Sequence, residues 1–163
     1  MKKNICFIVS VPYTANFVKN HLHSLSKEYN IYLVANINDA NKDVLKLFNF
    51  FDYKSIPINR NVNILYDLKS VYQLYKYFKL MKFDAIHSIT PKAGLLSALA
   101  GKLSGTPNRI HIFTGQVWAT KTGVSKLILK TLDKIISNLS THVLVDGNSQ
   151  RDFLRTEKVI KSD

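Results

Sequence analysis

The sequence has little cysteine, proline and glycine. Its 163 residues include one Cys, one Trp, four Pro and six Gly. A single Cys excludes a disulfide framework and any zinc site built from several cysteines. So few Pro and Gly exclude collagen-like and linker-dominated chains. Hydrophobic residues make up 46% of the chain, which excludes a disordered tail and is enough for the core of one domain.

Acidic residues are scarce as well. Eleven Asp and Glu stand against 23 Lys and Arg, which gives a formal net charge of +12 at pH 7. Such an excess favours an anionic partner, and nucleic acid, anionic lipid headgroups and phosphorylated substrates all qualify. Nucleic acid is the weakest of the three, because no recognition motif is present and Lys outnumbers Arg.

Long apolar runs are missing. After the first strand, the longest run of apolar and small residues, 93–101, is far shorter than the ~20 residues that a membrane-spanning helix needs. Residues 5–11 are barely long enough for a signal peptide, and their composition favours a buried strand containing Cys6 as a small core residue. We therefore expect a cytoplasmic protein that does not cross the membrane but lies against its inner face.

Short apolar strands alternate with helical patterns along the chain. Strands are predicted at residues 4–11, 31–35, 53–58, 84–89, 109–113 and 141–145, and helices at 14–27, 41–48, 64–81, 91–104, 124–139 and 149–155. This alternation predicts one α/β domain over residues 1–163, with a Rossmann-like, doubly wound parallel sheet. With strand order 3-2-1-4-5-6, ligands are expected at loops 11–16, 88–94 and 114–123.

The loop after the first strand lacks both a dinucleotide fingerprint and a P-loop. Two interpretations of it stay open. Either Pro12 and Tyr13 face a substrate, or the loop is a plain turn in which Thr14 caps the next helix.

The loop after the fourth strand specifies a helix start. Thr90 suits the N-cap and Pro91 the first helical position. A free helix N-terminus attracts anions, and Lys92 adds a full positive charge beside it. Thr90, Lys92 and Gly94 are therefore candidate binders of phosphate or diphosphate. The alternative is a capped helix with a solvated lysine.

The loop after the fifth strand is longer than most strand-to-helix connections and contains the only Trp. A long loop with a Trp and several polar groups at this edge is typical of binding. Its candidate binding residues are Thr114, Gly115, Gln116, Trp118 and Lys121. Alternatively, the indole only anchors the loop on the core.

The sequence shows neither a Ser/His/Asp triad nor a pair of catalytic carboxylates. His87 and His111 fall on neighbouring strands without an acid or a cysteine in the same loops. We therefore expect buried, hydrogen-bonded histidines and no metal site. The predicted cleft contains cations, amides and hydroxyls, which suits an anion, and the catalytic residue is left unassigned.

Two predicted helices are rich in lysine. Lys and Tyr on a helix face suit an anionic membrane surface, and an ordinary solvated face is the alternative. In helix 124–139 the lysines are placed opposite an apolar stripe of Val124, Leu127, Ile128, Ile135 and Leu139. The candidate membrane-facing residues are Lys69, Tyr72, Lys76, Lys79, Lys126, Lys130 and Lys134.

Three segments of the chain carry a family resemblance. Residues 87–96 read HSITPKAGLL, residues 109–118 read RIHIFTGQVW, and residues 141–146 read THVLVD. These segments resemble bacterial family 4 glycosyltransferases of capsule and O-antigen synthesis. Residues 9–12 and 57–67, with Arg60 and Asp67, fit the same family, so the resemblance covers nearly the whole chain.

The resemblance implies the N-terminal, acceptor-binding half of a two-domain GT-B enzyme. Such an enzyme transfers a hexosyl or N-acetylhexosaminyl group from a nucleotide sugar with retention, and no metal or other cofactor is expected. The donor would be bound by a missing C-terminal domain or a partner chain, so the chain alone is expected to be inactive. The implied acceptor is a saccharide linked to polyprenyl diphosphate, and Arg60 joins the candidate substrate-binding residues.

The sequence departs from the family pattern at several positions. Many relatives have His where Ile89 and Thr114 stand, and a Gly pair where Pro12 and Tyr13 stand, so no catalytic histidine is assigned. A leaving phosphate that accepts the acceptor's proton would need none. The alternative function is a non-catalytic, membrane-associated subunit that recruits a separate donor-binding chain, and a nucleic-acid binder is a weaker third.

Overall fold

One parallel sheet of six strands runs through the part of the chain that the computed structural model describes, residues 2–59 and 61–161. The sheet order is β3-β2-β1-β4-β5-β6. The strands are β1 (Asn4–Ile8), β2 (Asn30–Ala35), β3 (Asp52–Ser55), β4 (Ala85–Ser88), β5 (Asn108–Phe113) and β6 (His142–Val145). The predicted Rossmann-like class and strand order are confirmed.

The helices follow the strands in regular alternation. They are α1 (Lys19–Ser26), α2 (Ile64–Met81), α3 (Pro91–Ser104), α4 (Gly123–Leu139) and α5 (Asn148–Thr156). Short 3-10 helices cover Pro12–Val18, Lys42–Leu47 and Val117–Thr120. The helices predicted for 64–81, 91–104, 124–139 and 149–155 are confirmed to within a residue or two.

Two predicted helices near the N-terminus are wrong in type. The segment predicted as a helix over 14–27 is a 3-10 helix up to Val18 and an α-helix only from Lys19. Thr14 is buried inside that 3-10 helix and therefore does not cap an α-helix. The segment predicted as a helix over 41–48 is a 3-10 helix. Asn and Asp near its start compete for backbone hydrogen bonds and disfavour a regular α-helix there.

β1 and β3 each end three residues earlier than predicted. β1 ends at Ile8, although the Val9 N–H still donates to the Val34 carbonyl at 3.0 Å. β3 covers Asp52–Ser55, whereas 53–58 was expected. Pro57 has no N–H with which to continue the ladder, so the chain leaves the sheet there.

The core lies on both faces of the sheet. Cys6 and Ile8 point to the face covered by α2 and α3, where they pack with Leu74 and Phe78. The buried Cys6 is therefore a core residue, as expected. The opposite face packs against α1 in a second cluster. A third cluster, with Trp118 and Ile136, joins α4 and α5 to the end of β5.

Helix α4 turns a different face to the core than its sequence pattern predicts. Asp133 and Ile136 are buried, and Leu129 and Leu132 are half-buried. The predicted apolar stripe is instead open to solvent, and its exposed residues are Val124, Leu127, Ile128 and Ile135. Asp133 is drawn inward because its carboxylate accepts a hydrogen bond from a buried indole.

Helices α2, α3 and α4 all begin at the carboxyl edge of the sheet. Helix α3 starts three residues after β4 ends, and Lys92 in its first turn contacts Asp67 in the first turns of α2. Within the described ranges, no helix combines the length and the apolar character that crossing a membrane would require.

Candidate functional site

The loops after β1 and β4 are joined by a hydrogen bond between two hydroxyls. Ser10 Oγ lies 2.7 Å from Thr90 Oγ1. Thr90 occupies the N-cap position of α3, as predicted, but its side chain makes no bond to the first turn of the helix. The prediction of a side-chain cap is therefore wrong, because the hydroxyl is taken by Ser10. The first N–H groups of α3 keep their capacity to bind an anion.

Lys92 is neither solvated nor an isolated cation. Its Nζ lies 2.6 Å from Asp67 Oδ2 and donates to the Asn61 carbonyl at 3.2 Å. Only 13% of the side chain is exposed. The alternative of a solvated lysine is therefore wrong. An ammonium has three N–H donors, so these two contacts leave one donor for a ligand at the start of α3.

Gly94 packs against a histidine ring inside the fold. A Cβ built on Gly94 would lie 2.5 Å from His111 Cε1 and 2.7 Å from His111 Nδ1. Since Gly94 is also buried, it cannot contact a ligand directly. The structure therefore corrects the predicted phosphate contact to a packing role, in which the missing side chain makes room for the imidazole.

Trp118 anchors the third loop. It is 1% exposed, its Nε1–H donates to Asp133 Oδ2 at 2.7 Å, and its ring stacks on Phe153 with centroids 5.3 Å apart. This is the anchoring alternative, in which the indole holds the loop on the core. Burial raises the pKa of Asp133 to about 6, while the hydrogen bond from Trp118 acts in the opposite direction.

The polar residues of the third loop differ in accessibility. Thr114, Gly115 and Lys121 are exposed, and Gly115 has a φ of 133°, which favours glycine. Gln116 is half-buried, and its Oε1 accepts from Gln150 Nε2 at 3.3 Å. The Gln116 Nε2 is buried without a partner among the described residues. The proposed ligand contacts of these four residues stay predictions.

The first loop contributes one accessible candidate. Tyr13 is exposed and its carbonyl accepts from Asn16 Nδ2 at 3.0 Å. Pro12 is buried at the start of the 3-10 helix, which corrects its predicted contact with substrate. Arg60 lies outside the described residues.

His87 and His111 are buried on the neighbouring strands β4 and β5, but on opposite faces of the sheet: His87 packs on Phe7 and His21, whereas His111 packs against Gly94 of α3. His111 Nδ1 lies 2.8 Å from Ser88 Oγ, as expected of a hydrogen-bonded core histidine. The Nε2 atoms of both rings lack a partner among the described residues, which differs from the expectation for His87. Burial lowers the pKa of His87 to about 4, with help from His21, and that of His111 to about 3, with help from His87. Both rings are therefore neutral at pH 7.

No group of three or more His, Cys, Asp or Glu suited to a metal occurs in residues 2–59 and 61–161. The expectation that the activity needs no metal or other cofactor stays a prediction. The carboxylate that the structure does bring to the site, Asp67, is occupied by Lys92.

Most of the candidate membrane-facing residues are exposed. These are Lys69, Tyr72, Lys76, Lys79 and Lys134, whereas Lys126 is half-buried. The prediction that Lys130 faces the membrane is corrected, because its Nζ lies 2.6 Å from Glu157 Oε2 and points back towards α5. The apolar side chains of α4 that the sequence pattern assigned to the core lie beside these lysines on the helix surface.

Fold and site together define the chain as a Rossmann-like domain of the glycosyltransferase class. The sequence profile described as glycosyl transferase 4-like matches residues 4–146. The chain belongs to this family, which confirms the resemblance drawn from its motifs.

Two curated relatives are glycosyltransferases. One is the UDP-Gal:alpha-D-GlcNAc-diphosphoundecaprenol alpha-1,3-galactosyltransferase of Escherichia coli, 31% identical over 95 residues, which are 58% of this chain and 24% of that enzyme. The other is the capsular polysaccharide biosynthesis glycosyltransferase CapM of Staphylococcus aureus, 28% identical over 108 residues, 66% of this chain and 28% of that protein. The match therefore spans about a quarter of each relative's length.

A solved structure shows the same fold. The UDP-N-acetylglucosamine 2-epimerase from Rickettsia bellii superposes with a TM-score of 0.74 at 13% identity, over 97% of this chain and 42% of that one. At this identity the likeness concerns the fold alone.

Two side chains important to the site were missed by sequence reasoning. Asp67 was noted only as fitting the family, and its pairing with Lys92 spans 25 residues. Asp133 was not singled out at all. The sequence feature that could have indicated it is an acidic residue on the predicted helix 124–139 with no basic residue assigned to it. Only the fold brings the Trp118 indole within hydrogen-bond distance of this acid.

Proposed function

We propose that this chain is the acceptor-binding domain of a retaining glycosyltransferase of surface polysaccharide synthesis. The acceptor is a saccharide on a polyprenyl diphosphate, and the sugar comes from a nucleotide-sugar donor. The observation that carries the proposal is Lys92 at the uncapped start of α3, at the sheet edge where ligands of such folds bind. The family membership and the diphosphoundecaprenol acceptor in the name of the Escherichia coli relative support it.

The start of α3 suits a diphosphate better than a neutral sugar. The helix N-terminus offers backbone N–H groups and a partial positive charge, and Lys92 adds an ammonium with one donor to spare. Tyr13, Thr114 and Lys121 are exposed on the neighbouring loops. They are placed to contact the saccharide that follows the diphosphate.

The chemistry of the edge favours a mechanism in which the donor supplies its own base. His87 and His111 are buried, and burial lowers the pKa of both rings and so makes them weak bases, while Asp67 is tied to Lys92. None of these three is free to take a proton from the acceptor hydroxyl. In the proposed reaction the proton therefore goes to the leaving phosphate of the donor, which a second domain or a separate chain binds.

Lys92→Ala in the complete enzyme is expected to lower the transfer rate by about 10- to 100-fold, which corresponds to the loss of one hydrogen bond to a charged group. The measurement is steady-state sugar transfer to a lipid-linked saccharide. Lys102→Ala is the matched control, because Lys102 is exposed at the far end of the same helix. Wild-type kinetics in a folded Lys92→Ala enzyme would remove Lys92 from the site.

We also propose that α2 and α4 hold the domain on the inner face of the cytoplasmic membrane. Helix α4 exposes Leu127 and Ile128 next to lysines, and α2 exposes Ile64, Leu65 and Leu68 in its first turns. Exposed apolar side chains with neighbouring cations are the pattern of an interfacial helix.

Sedimentation with anionic liposomes tests this membrane contact. We expect binding at low salt that weakens several-fold when Leu127 and Ile128 are both changed to Gln. Leu103→Gln is the control, since Leu103 is equally exposed near the end of α3, away from the carboxyl edge. If the wild-type chain stays in the supernatant at low salt, the membrane contact is wrong.

A further inference from the structure

A small apolar cavity opens between α3, α4 and the third loop. Its volume is about 170 Å³, and the apolar side chains that line it include Val62, Leu95, Val117, Leu129 and Leu132. An apolar cavity of about 150 Å³ is large enough to bind a benzene-sized molecule. This cavity therefore has room for a short branched hydrocarbon segment.

The mouth of the cavity is also apolar. Val62 and Val117 belong to its lining and yet are 81% and 61% exposed. Two valines held in solvent on separate segments are not explained by packing of the core. They place apolar side chains both in the lining of the cavity and at the surface beside it.

The polar groups of the lining are two charged side chains. Lys92 lines the cavity and holds its ammonium on Asp67 and the Asn61 carbonyl. Asp133 also lines it, and the Oδ2 of this acid is occupied by the Trp118 indole. The cavity thus combines an apolar interior with one ammonium and one carboxylate. Because the carboxylate is held by the indole, Lys92 is the charged group of the lining that has a donor left for a ligand. This combination complements an amphiphile in which an anionic group is attached directly to a hydrocarbon.

We propose that this cavity binds the first isoprenoid unit of the acceptor's prenyl diphosphate, with the diphosphate at Lys92 and the rest of the chain leaving past Val62 and Val117. The inference rests on the proposed function and adds a subsite for the lipid to the one for the diphosphate. It makes the lipid a recognised part of the acceptor, in addition to its being a membrane anchor.

Burial of hydrocarbon sets the size of the expected effect. Each buried methylene is worth about fourfold in affinity. An isoprenoid unit that is only partly enclosed should therefore strengthen binding of a diphosphate by at least about tenfold. Inorganic diphosphate has no such gain, because it reaches only Lys92 and the start of α3.

Geranyl diphosphate and inorganic diphosphate are the two probes of this subsite. Trp118 is the only Trp of the chain and lines the cavity, so its fluorescence reports occupancy in the full 163-residue chain. We expect geranyl diphosphate to bind at least tenfold more tightly than inorganic diphosphate. Equal affinities for the two probes would overturn the proposal.

Leu132→Phe fills the cavity from α4. It should weaken the binding of geranyl diphosphate at least tenfold and leave the affinity for inorganic diphosphate unchanged. Leu103→Phe, on an exposed position of α3, is the control and should change neither. Thermal melting establishes that both variants fold. Val117→Ser at the exposed mouth gives the same test without adding volume. Unchanged affinity for geranyl diphosphate in folded Leu132→Phe and Val117→Ser would show that the chain binds elsewhere.

Transfer assays separate this proposal from the proposed function. In the complete enzyme, Leu132→Phe should raise the KM for a prenyl-linked saccharide about tenfold and leave the KM for the same saccharide on a short water-soluble phosphate unchanged. If both KM values stay at wild type, the lipid subsite is wrong while the transferase function stands. If the wild-type enzyme transfers sugar to neither acceptor, the proposed function fails, and geranyl diphosphate binding alone then decides the subsite.

Discussion

Replacement of Trp118 by Ala should destabilise the domain by about 3–5 kcal/mol, the usual cost of truncating a buried Trp. The indole is 1% exposed and stacks on Phe153, so its loss opens a large cavity between α4 and α5. It also leaves the buried Asp133 carboxylate without its donor. Urea denaturation followed by circular dichroism measures the change. A loss below about 1 kcal/mol would show that the loop is not anchored by this side chain.

Trp118→Phe separates the hydrogen bond from the packing. The pKa of Asp133 already lies at about 6 in the folded chain, above its ordinary value of 3.8, so ionisation of this acid opposes folding as the pH rises. Removing the indole N–H should raise the folded pKa further. The variant is then expected to lose more stability relative to wild type at pH 7 than at pH 4. A pH-independent difference would contradict the role of the hydrogen bond.

Gly94→Ala should destabilise the domain by about 2–4 kcal/mol. The added methyl group overpacks the core, and the displaced His111 ring weakens its hydrogen bond with Ser88. Helix propensity alone predicts the opposite sign, a gain of about 0.5–1 kcal/mol on replacing a helical Gly. The new Cβ, however, would lie 2.5 Å from the His111 ring, which must move away. The sign of the measured change in the free energy of unfolding therefore shows whether helix propensity or the contact with His111 dominates.

A double mutant supplies the control for Gly94. In a His111→Ala background the ring is absent, so Gly94→Ala should become neutral or stabilising. The difference between the two backgrounds measures the contact directly. Equal losses in both backgrounds would mean that another neighbour, or the helix start itself, requires the glycine.

The fold could be predicted from the sequence because its signal is local. Runs such as residues 31–35, which read IYLVA, are continuously apolar, and each is followed by a helical pattern. The type and the order of the elements can therefore be inferred along the chain. The face of α4 could not be predicted in the same way. The regular apolar stripe at Val124, Ile128 and Ile135 lies in solvent, and the helix instead buries Asp133, whose carboxylate accepts from the Trp118 indole.

For the candidate site, the sequence predicted only those features that are local to a single loop. Pro91 and Thr90 correctly predicted where α3 begins. The partners of the loop residues come from distant segments: Asp67 for Lys92, Ser10 for Thr90, and His111 against Gly94. No spacing rule links such positions, because the sheet order decides which loops become neighbours. Sequence reasoning therefore indicated the edge of the sheet where a ligand is expected, but not the contacts that the residues there make with one another.

The contact between Lys92 and Asp67 also determines which anions can use the start of α3. The ammonium already has a carboxylate at 2.6 Å, so an incoming ligand competes with an internal anion that is held in place. Chloride, acetate and other singly charged solutes of the cell gain little from replacing one negative charge with another. A diphosphate carries several charges, so its attraction to the ammonium exceeds theirs. In the proposed function, the resident aspartate therefore acts as a selectivity threshold that favours polyvalent ligands over common small anions.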